Sequence, residues 1–214
     1  MSKSTESISK GIDISMKNPI LFVPYAVPIF IQLVFNTLAY LFPIRYYFFE
    51  MPNPFISLLG SFIAAILGFI AGCMLVDMTN DAINNRPIDL RKSMNLVTSK
   101  IGTLIVAAII AAICSITLIL LPIAMFIIVI AIIEGVDAIE STRRAINFVI
   151  KNLSEVIIFI VIVIVVGAIF SYGFSFIPII GSFIGAIISW FLNAIFTISA
   201  VCFYLSLRAP PPPI

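Results

Sequence analysis

The sequence predicts an all-α polytopic membrane protein, a bundle of six transmembrane helices arranged as three hairpins. Each hairpin is preceded by a short amphipathic helix at the membrane surface. Three observations carry this prediction. First, 62% of the residues are hydrophobic and 10% charged, where a soluble domain carries about 25% charged residues, so the apolar surplus has to face lipid. Second, residues 101–133 form 33 consecutive uncharged positions with one proline, Pro122. That run is too long for a single span of about 20 residues and short for two. Third, the basic residues decide how the run is folded. If it turns back on itself, eleven of the twelve Lys and Arg share one side and only Arg45 lies across the membrane; if it is one kinked helix, the split is seven to five. Short cytoplasmic loops carry the excess of Lys and Arg. The run is therefore read as a hairpin, with both termini on the cytoplasmic side of a plasma membrane.

Taken in order, the first 18 residues are polar and include Glu6 and Asp13. The apolar stretch after them exceeds a signal-peptide core of about 7–15 residues, so it is expected to stay as the first span, 19–43. Pro19 suits a helix entrance, where its missing N–H costs nothing, and Pro24 and Pro28 predict a bend or a late start. The connection from Pro43 to Pro54 holds Tyr46, Tyr47, Phe48 and Phe49, residues of the interfacial aromatic belt. The remaining spans are 55–77, 100–117, 119–134, 153–174 and 180–206, with Pro122 and Pro178 near the outer turns. Residues 209–214 form a proline-rich tail, expected to be a short disordered end rather than a polyproline II ligand.

The surface helices have their own signature. Leu90, Met94, Val97 and Ile101 fall on one helical face, and so do Ile139, Ile146, Val149 or Ile150, and Leu153. Arg143, Arg144, Asn147 and Lys151 stand opposite the latter set, and Glu140 precedes Arg144 by four residues in the favourable order. Such helices lie in the headgroup layer with their basic face toward phosphates. The first copy, on Ile8, Ile12 and Met16, is the weakest and the most prone to fray.

These units read as an internal repeat over 6–80, 81–135 and 136–208. Gly60–Phe69 matches Gly181–Trp190 with six of ten residues identical. Lys10-Gly11-Ile12-Asp13 aligns with Arg144-Ala145-Ile146-Asn147, and Arg91–Val97 with Arg143–Val149. Repeats of this kind are common in membrane folds.

Candidate functional residues form three sets. Arg91, Lys92, Arg143, Arg144 and Lys151 are placed to meet anionic lipid headgroups. Gln32 and Asn36, and Asn193 and Thr197, are one turn apart within spans, as interhelical hydrogen-bond partners or as the lining of a solute path. Gly60, Ala64, Gly68 and Gly72, with Gly181, Gly185 and Ser189, are small-residue ladders that let helices approach closely.

Other functions are disfavoured. A net charge of +2 is too small to suggest nucleic acid. No ionisable residue lies near the centre of a predicted span and the chain has no histidine, which counts against ion-coupled transport. Cys73, Cys114 and Cys202 sit in apolar segments without pairing or metal spacing, as small packing residues. Asp77, Asp81, Glu134 and Asp137 gather at the inner ends of spans, where carboxylates could hold a cation over a lipid phosphate. Asp137 and Glu140 more simply stabilise a helix start. No nucleophile–base pair, phosphate loop or metal motif accompanies them, so neither an enzyme nor a cofactor is expected.

Three stretches carry a family likeness: Asn18-Pro19 before the first span, Leu121-Pro122-Ile123 within a hairpin, and Ile133-Glu134-Gly135-Val136-Asp137-Ala138-Ile139-Glu140-Ser141-Thr142-Arg143-Arg144 leading into a further span. Together they resemble the membrane domain of glycerophosphoryl diester phosphodiesterases and related uncharacterised bacterial and archaeal proteins. In that group an Glu-Gly pair and an "A-L-x-R-S" block follow the fourth span; Ala138 and Ile139 fit, while Ser141 and Arg143 stand in shifted order. The resemblance implies the topology. It carries no catalytic residue, because the phosphodiesterase activity of that group resides in a separate soluble barrel. The expected role is a non-enzymatic protein organising membrane lipids, a protein partner or a homo-oligomer at the cytoplasmic face, with a passive channel as the alternative and a lipid-headgroup enzyme a distant third.

Overall fold

The computed structural model describes residues 2–46, 49–117, 120–174 and 180–208; the tail, Pro178, Tyr47 and Phe48 lie outside them. Helix α1 (Lys3–Lys17) is followed by a 3-10 turn (Pro19–Phe22) and α2 (Val23–Leu41). Strands β1 (Ile44–Tyr46) and β2 (Phe49–Met51) precede α3 (Pro54–Ile83), α4 (Leu90–Ser99), α5 (Ile101–Ser115), α6 (Leu121–Ile133), α7 (Ala138–Lys151), α8 (Leu153–Gly173) and α9 (Ile180–Leu207).

Local chemistry sets these boundaries. The Asn53 side chain accepts from the N–H groups of Phe55 and Ile56 with Pro54 in the first turn, Asp89 from Arg91 and Lys92, and Asp137 from Glu140. Each such N-cap is worth about 1 kcal/mol. At the far ends, the Asn18 and Asn152 amides donate to the carbonyls of Ile14 and Phe148. Gly135 (φ 69°) takes the left-handed conformation just past α6, where a side chain would be strained.

Among the described residues, four helical segments are long and apolar enough to cross a membrane: Pro19–Leu41, Pro54–Ile83, Leu153–Phe170 and Phe183–Leu207. The 33-residue apolar run is not among them. It is divided into α5 and α6, of 15 and 13 residues, which pack against one another. At 1.5 Å per residue they are about 22 and 20 Å long, against a hydrocarbon core of about 30 Å. Helices α4 and α5 meet at a 76° bend. Between α2 and α3 the chain is not a plain connection. It forms an antiparallel ribbon pairing Ile44 with Met51 and Arg45 with Glu50, an addition to the expected all-α architecture.

Helix α6 is the centre of the molecule: nine of its thirteen residues are buried, and it packs on α3, α5, α7, α8 and α9. Phe126 on α6 meets Phe148 of α7 and Phe203 of α9, which in turn stacks on Phe159 of α8. Met74, Leu75, Val76 and Met78 of α3 belong to the same core. This core occupies the end of the bundle that carries α1, α4 and α7, the polar end. Toward the β-ribbon end, large side chains such as Phe55, Leu58, Phe62 and Ile169 are exposed.

Candidate functional site

The three surface helices dock on the polar end in one manner. Each has a buried face of mostly small residues: Ser4, Ser7, Gly11 and Ser15 on α1, Ser93 and Val97 on α4, and Ala138, Ser141, Ala145, Phe148 and Val149 on α7. On an adjacent face large apolar side chains are left uncovered. Ile12, Met94 and Ile146, aligned in the three helices, are 41%, 45% and 37% exposed. Arg144 and Lys151 take the remaining face of α7, whereas Arg143 and Asn147, expected opposite the apolar residues, border one groove with Ile139 and Ile146, because positions four apart fall on neighbouring turns of one face. The apolar side chains thus lie beside the docking surface rather than in it. Helix α1, expected to be the frayed copy, is complete. A side chain on Gly11 would overlap Ser199 of α9, and the Ser4 hydroxyl and N–H both bond the Glu155 carboxylate at the start of α8.

Acidic side chains pin the other two. The Ser93 hydroxyl donates to Asp77 at 2.6 Å in the buried interior. Asp81, fully buried, meets Lys92 Nζ at 2.5 Å and Arg86 Nε at 2.9 Å. The Arg86 contact lies off the axis of a hydrogen bond, so it is ionic rather than directional. On α7, Arg144 bonds both Glu134 and Glu140, and the Tyr204 hydroxyl donates to Glu134. Burial alone would raise the Glu134 carboxyl; the hydrogen bonds from Tyr204 and Arg144 and the charges of Arg144 and Arg208 prevail and hold it below the usual carboxylate range. The four acids are therefore engaged separately: Asp77 with a serine, Asp81 with two cations, Glu134 with Tyr204 and Arg144, Asp137 as a helix cap. Among the described residues no three metal-ligating side chains converge.

The five predicted headgroup cations divide into two kinds. Lys92 and Arg144 are held by carboxylates. Arg91, Arg143 and Lys151 have no carboxylate within 4 Å among the described residues, and all three are exposed. Arg143 borders an open groove of about 400 Å³ between α5 and α7, lined by Ile110, Ile139, Thr142, Ile146 and Asn147.

Among the described residues, no hydrogen bond joins the two intramembrane polar pairs. Gln32 donates to Asn36 at 3.0 Å and to Ser61 of α3 at 3.4 Å. Thr197 returns its hydrogen to the Asn193 carbonyl within α9 and borders a separate cavity of about 150 Å³ with Gly72, Cys73 and Met125; Asn193 itself is exposed. Of the ladders, the first makes close contacts. A Cβ on Gly60 would overlap Phe35 of α2, one on Gly68 would overlap Trp190 of α9, and one on Gly72 would lie 3.3 Å from the Tyr25 hydroxyl. Ala64 is buried between them. In the second, Gly181 is buried and Ser189 half-buried, while Gly185 has room, its nearest neighbour Phe174 lying 3.6 Å from an added Cβ.

Sequence reasoning passed over Ser4, Ser7, Gly11, Ser15, Glu155 and Tyr204. The first four carried a usable signal, small residues spaced three and four apart on one helical face. Tyr204 and Glu155 gave none, since their partners are distant in sequence. Compared with protein-family models, with curated proteins and with solved structures, the chain matches none.

Proposed function

We propose that this is a non-enzymatic membrane protein whose three docked surface helices organise anionic lipids at the cytoplasmic face. The observation that carries the reading is the pairing of uncovered apolar side chains with unpaired cations on the same helices: Met94 with Arg91, and Ile139, Ile146 and Ile150 with Arg143 and Lys151. An apolar face that enters the acyl boundary beside a basic face at phosphate level is the arrangement of an interfacial helix. Each cation near an anionic surface adds about 1 kcal/mol.

In this reading α5 and α6 enter the bilayer from the cytoplasmic side and return to it, so Lys100 and Glu134 share that side. The eleven-to-one distribution of Lys and Arg holds whether the tip at Thr117 crosses fully or stops inside the membrane. A threefold repeat is part of the same proposal, and the burial of Gly11, Ser93 and Ala145 at positions aligned in sequence is consistent with it. Kinship with the phosphodiesterase membrane domain is proposed on the Glu134-Gly135 turn and the segment after it.

The test uses the reconstituted full chain and spin-labelled lipids, comparing association of phosphatidylglycerol and phosphatidylcholine. The triple substitution Arg91→Gln, Arg143→Gln, Lys151→Gln is expected to abolish the preference for phosphatidylglycerol; an unchanged preference overturns the proposal. Single cysteines on a cysteine-free background at Glu50, Thr117 and Asn147, all exposed, check sidedness in intact cells. Glu50 should label from outside and Asn147 should not, and labelling at Thr117 shows whether the tip crosses.

A further inference from the structure

The groove between α5 and α7 differs from the rest of the polar end. Ile139, Arg143 and Asn147 follow one another at intervals of four along α7, and Ile146 lies three residues beyond Arg143, so these side chains share one strip of the helix. Ile110 of α5 forms the opposite wall, giving about 400 Å³ of open space, within the range of about 300–1,000 Å³ found for small-molecule sites. The groove does not end at α7. Ile105, Val106, Ile109 and Ile113 continue an uncovered apolar surface along α5.

Its polar chemistry is one-sided. Arg143 has no carboxylate within 4 Å among the described residues, and its neighbour Glu140 is occupied by Arg144. The Thr142 hydroxyl gives its hydrogen to the Ala138 carbonyl at 2.7 Å, so the threonine turns no donor into the groove. The donors that remain are the Arg143 guanidinium and the Asn147 amide. A guanidinium presents a planar fork suited to two oxygens of a phosphate, and here that fork stands at the mouth of an isoleucine-walled channel.

We infer that the α5–α7 groove is a discrete binding site for one anionic phospholipid, its phosphate held by Arg143 and Asn147 and a chain laid along Ile110, Ile139 and Ile146. The inference rests on the lipid-organising reading but narrows it, from a general attraction to one site with one principal cation. A soluble phosphate would gain nothing from the isoleucine walls. A zwitterionic lipid would bring its own cation to a place with no carboxylate free to receive it.

Native mass spectrometry of the full chain, released from vesicles of equal parts phosphatidylglycerol and phosphatidylcholine, tests this directly. Wild type should retain one phosphatidylglycerol. Arg143→Gln should weaken the affinity for phosphatidylglycerol roughly tenfold, the value of a charge-assisted hydrogen bond of about 1.5 kcal/mol, read as loss of the retained lipid at limiting lipid. Ile146→Trp should displace the lipid while leaving every charge in place, and Arg91→Gln with Lys151→Gln should retain it. Circular dichroism and elution volume check each variant for folding, and Ile146→Trp remains informative if Arg143→Gln misfolds. Retention in both groove variants overturns the site; if the triple variant had still lost its phosphatidylglycerol preference, the broader reading would stand. Equal loss in the Arg91/Lys151 variant, or no retained lipid in wild type, also overturns it. So does a groove substitution that changes the oligomeric state without changing lipid, which would assign the groove to a second copy of the chain.

Discussion

The two ends of the bundle are held by different means. At the polar end, buried aromatic and aliphatic side chains from α3, α6, α7, α8 and α9 form a continuous core, and Asp77, Asp81 and Glu134 fasten the surface helices onto it. At the ribbon end, α8 presents mostly exposed and α2 and the first half of α9 mostly half-buried apolar side chains, and contact is concentrated where α2 crosses the small residues of α3. The cause is the length of α6. A central helix of thirteen residues is shorter than α2, α3, α8 and α9, so it accompanies those helices over only part of their length. In lipid there is no hydrophobic penalty over the remainder, because acyl chains cover apolar surface as well as protein does. Polar pins and close backbone approach therefore do what core burial does in water.

The largest expected effect breaks this comparison at its strongest point. Asp81 is fully buried and serves two cations, each about half exposed. Asp81→Ala should cost about 3 kcal/mol, the low end for a broken buried pair because the cations left behind can reach water. At the other end, Arg45 and Glu50 form an ion pair with both partners exposed, and Glu50→Ala should cost under about 0.5 kcal/mol. Equilibrium unfolding in mixed micelles, run on both variants, measures the contrast. Equal losses would mean that the polar end is not fastened by its acids.

Much of this division was legible in the sequence, and the illegible part has a physical pattern. The predicted spans 153–174 and 180–206 correspond to α8 and α9 within a residue at each end, because long uncharged runs bounded by polar residues admit few alternatives. The span predicted to close at 77 instead continues as helix to Ile83. A carboxylate in sequence marks the edge of the membrane, yet Asp77 and Asp81 are satisfied by Ser93 and Lys92 of α4, which sequence alone does not place against them. For the same reason, adjacent cations on α7 looked equivalent. Arg144 points to Glu134, ten residues earlier, while Arg143, one position round the helix, faces the groove. Helix α1 was underrated because its apolar face is thin; its docking rests on small side chains, which carry no hydropathy signal. The ribbon between α2 and α3 hid behind an aromatic run that fits an interface as readily as a strand.

A smaller effect sharpens the account of the ribbon end. Gly60→Ala sets a methyl group against the Cβ and Cγ atoms of Phe35, positions close to the backbone that cannot swing aside. It should cost about 2 kcal/mol by overpacking. Gly185→Ala meets only ordinary contact with Phe174 at 3.6 Å and gains helix propensity, so it should be neutral or stabilise by up to about 1 kcal/mol. Gly68→Ala should fall between them, since the obstacle there is the far edge of the Trp190 ring. Unfolding midpoints in one detergent rank the three. If Gly185→Ala proves as damaging as Gly60→Ala, the two ladders play equal structural parts and α9 is held as tightly as α2.

The smallest expected effect is a pH dependence confined to one contact. Glu134 is held below the usual carboxylate range by Tyr204, Arg144 and Arg208 against the opposing influence of burial. A carboxylate depressed in the folded state stabilises the fold fully above its unfolded pKa of about 4.3, and that contribution disappears as pH falls through the lower folded value. The anchoring of α7 should therefore be indifferent to pH from neutrality down to about 5 and weaken only in stronger acid. Glu134→Gln keeps the shape but removes the charge, so its unfolding midpoint should lie below that of wild type at pH 7, and the two should converge as the pH falls through the depressed folded-state value. The gap stays small because Arg144 is nearly half exposed and its attraction is screened by water. A gap that widened in acid would reverse the sign and show that Glu134 is tolerated at the polar end rather than used by it.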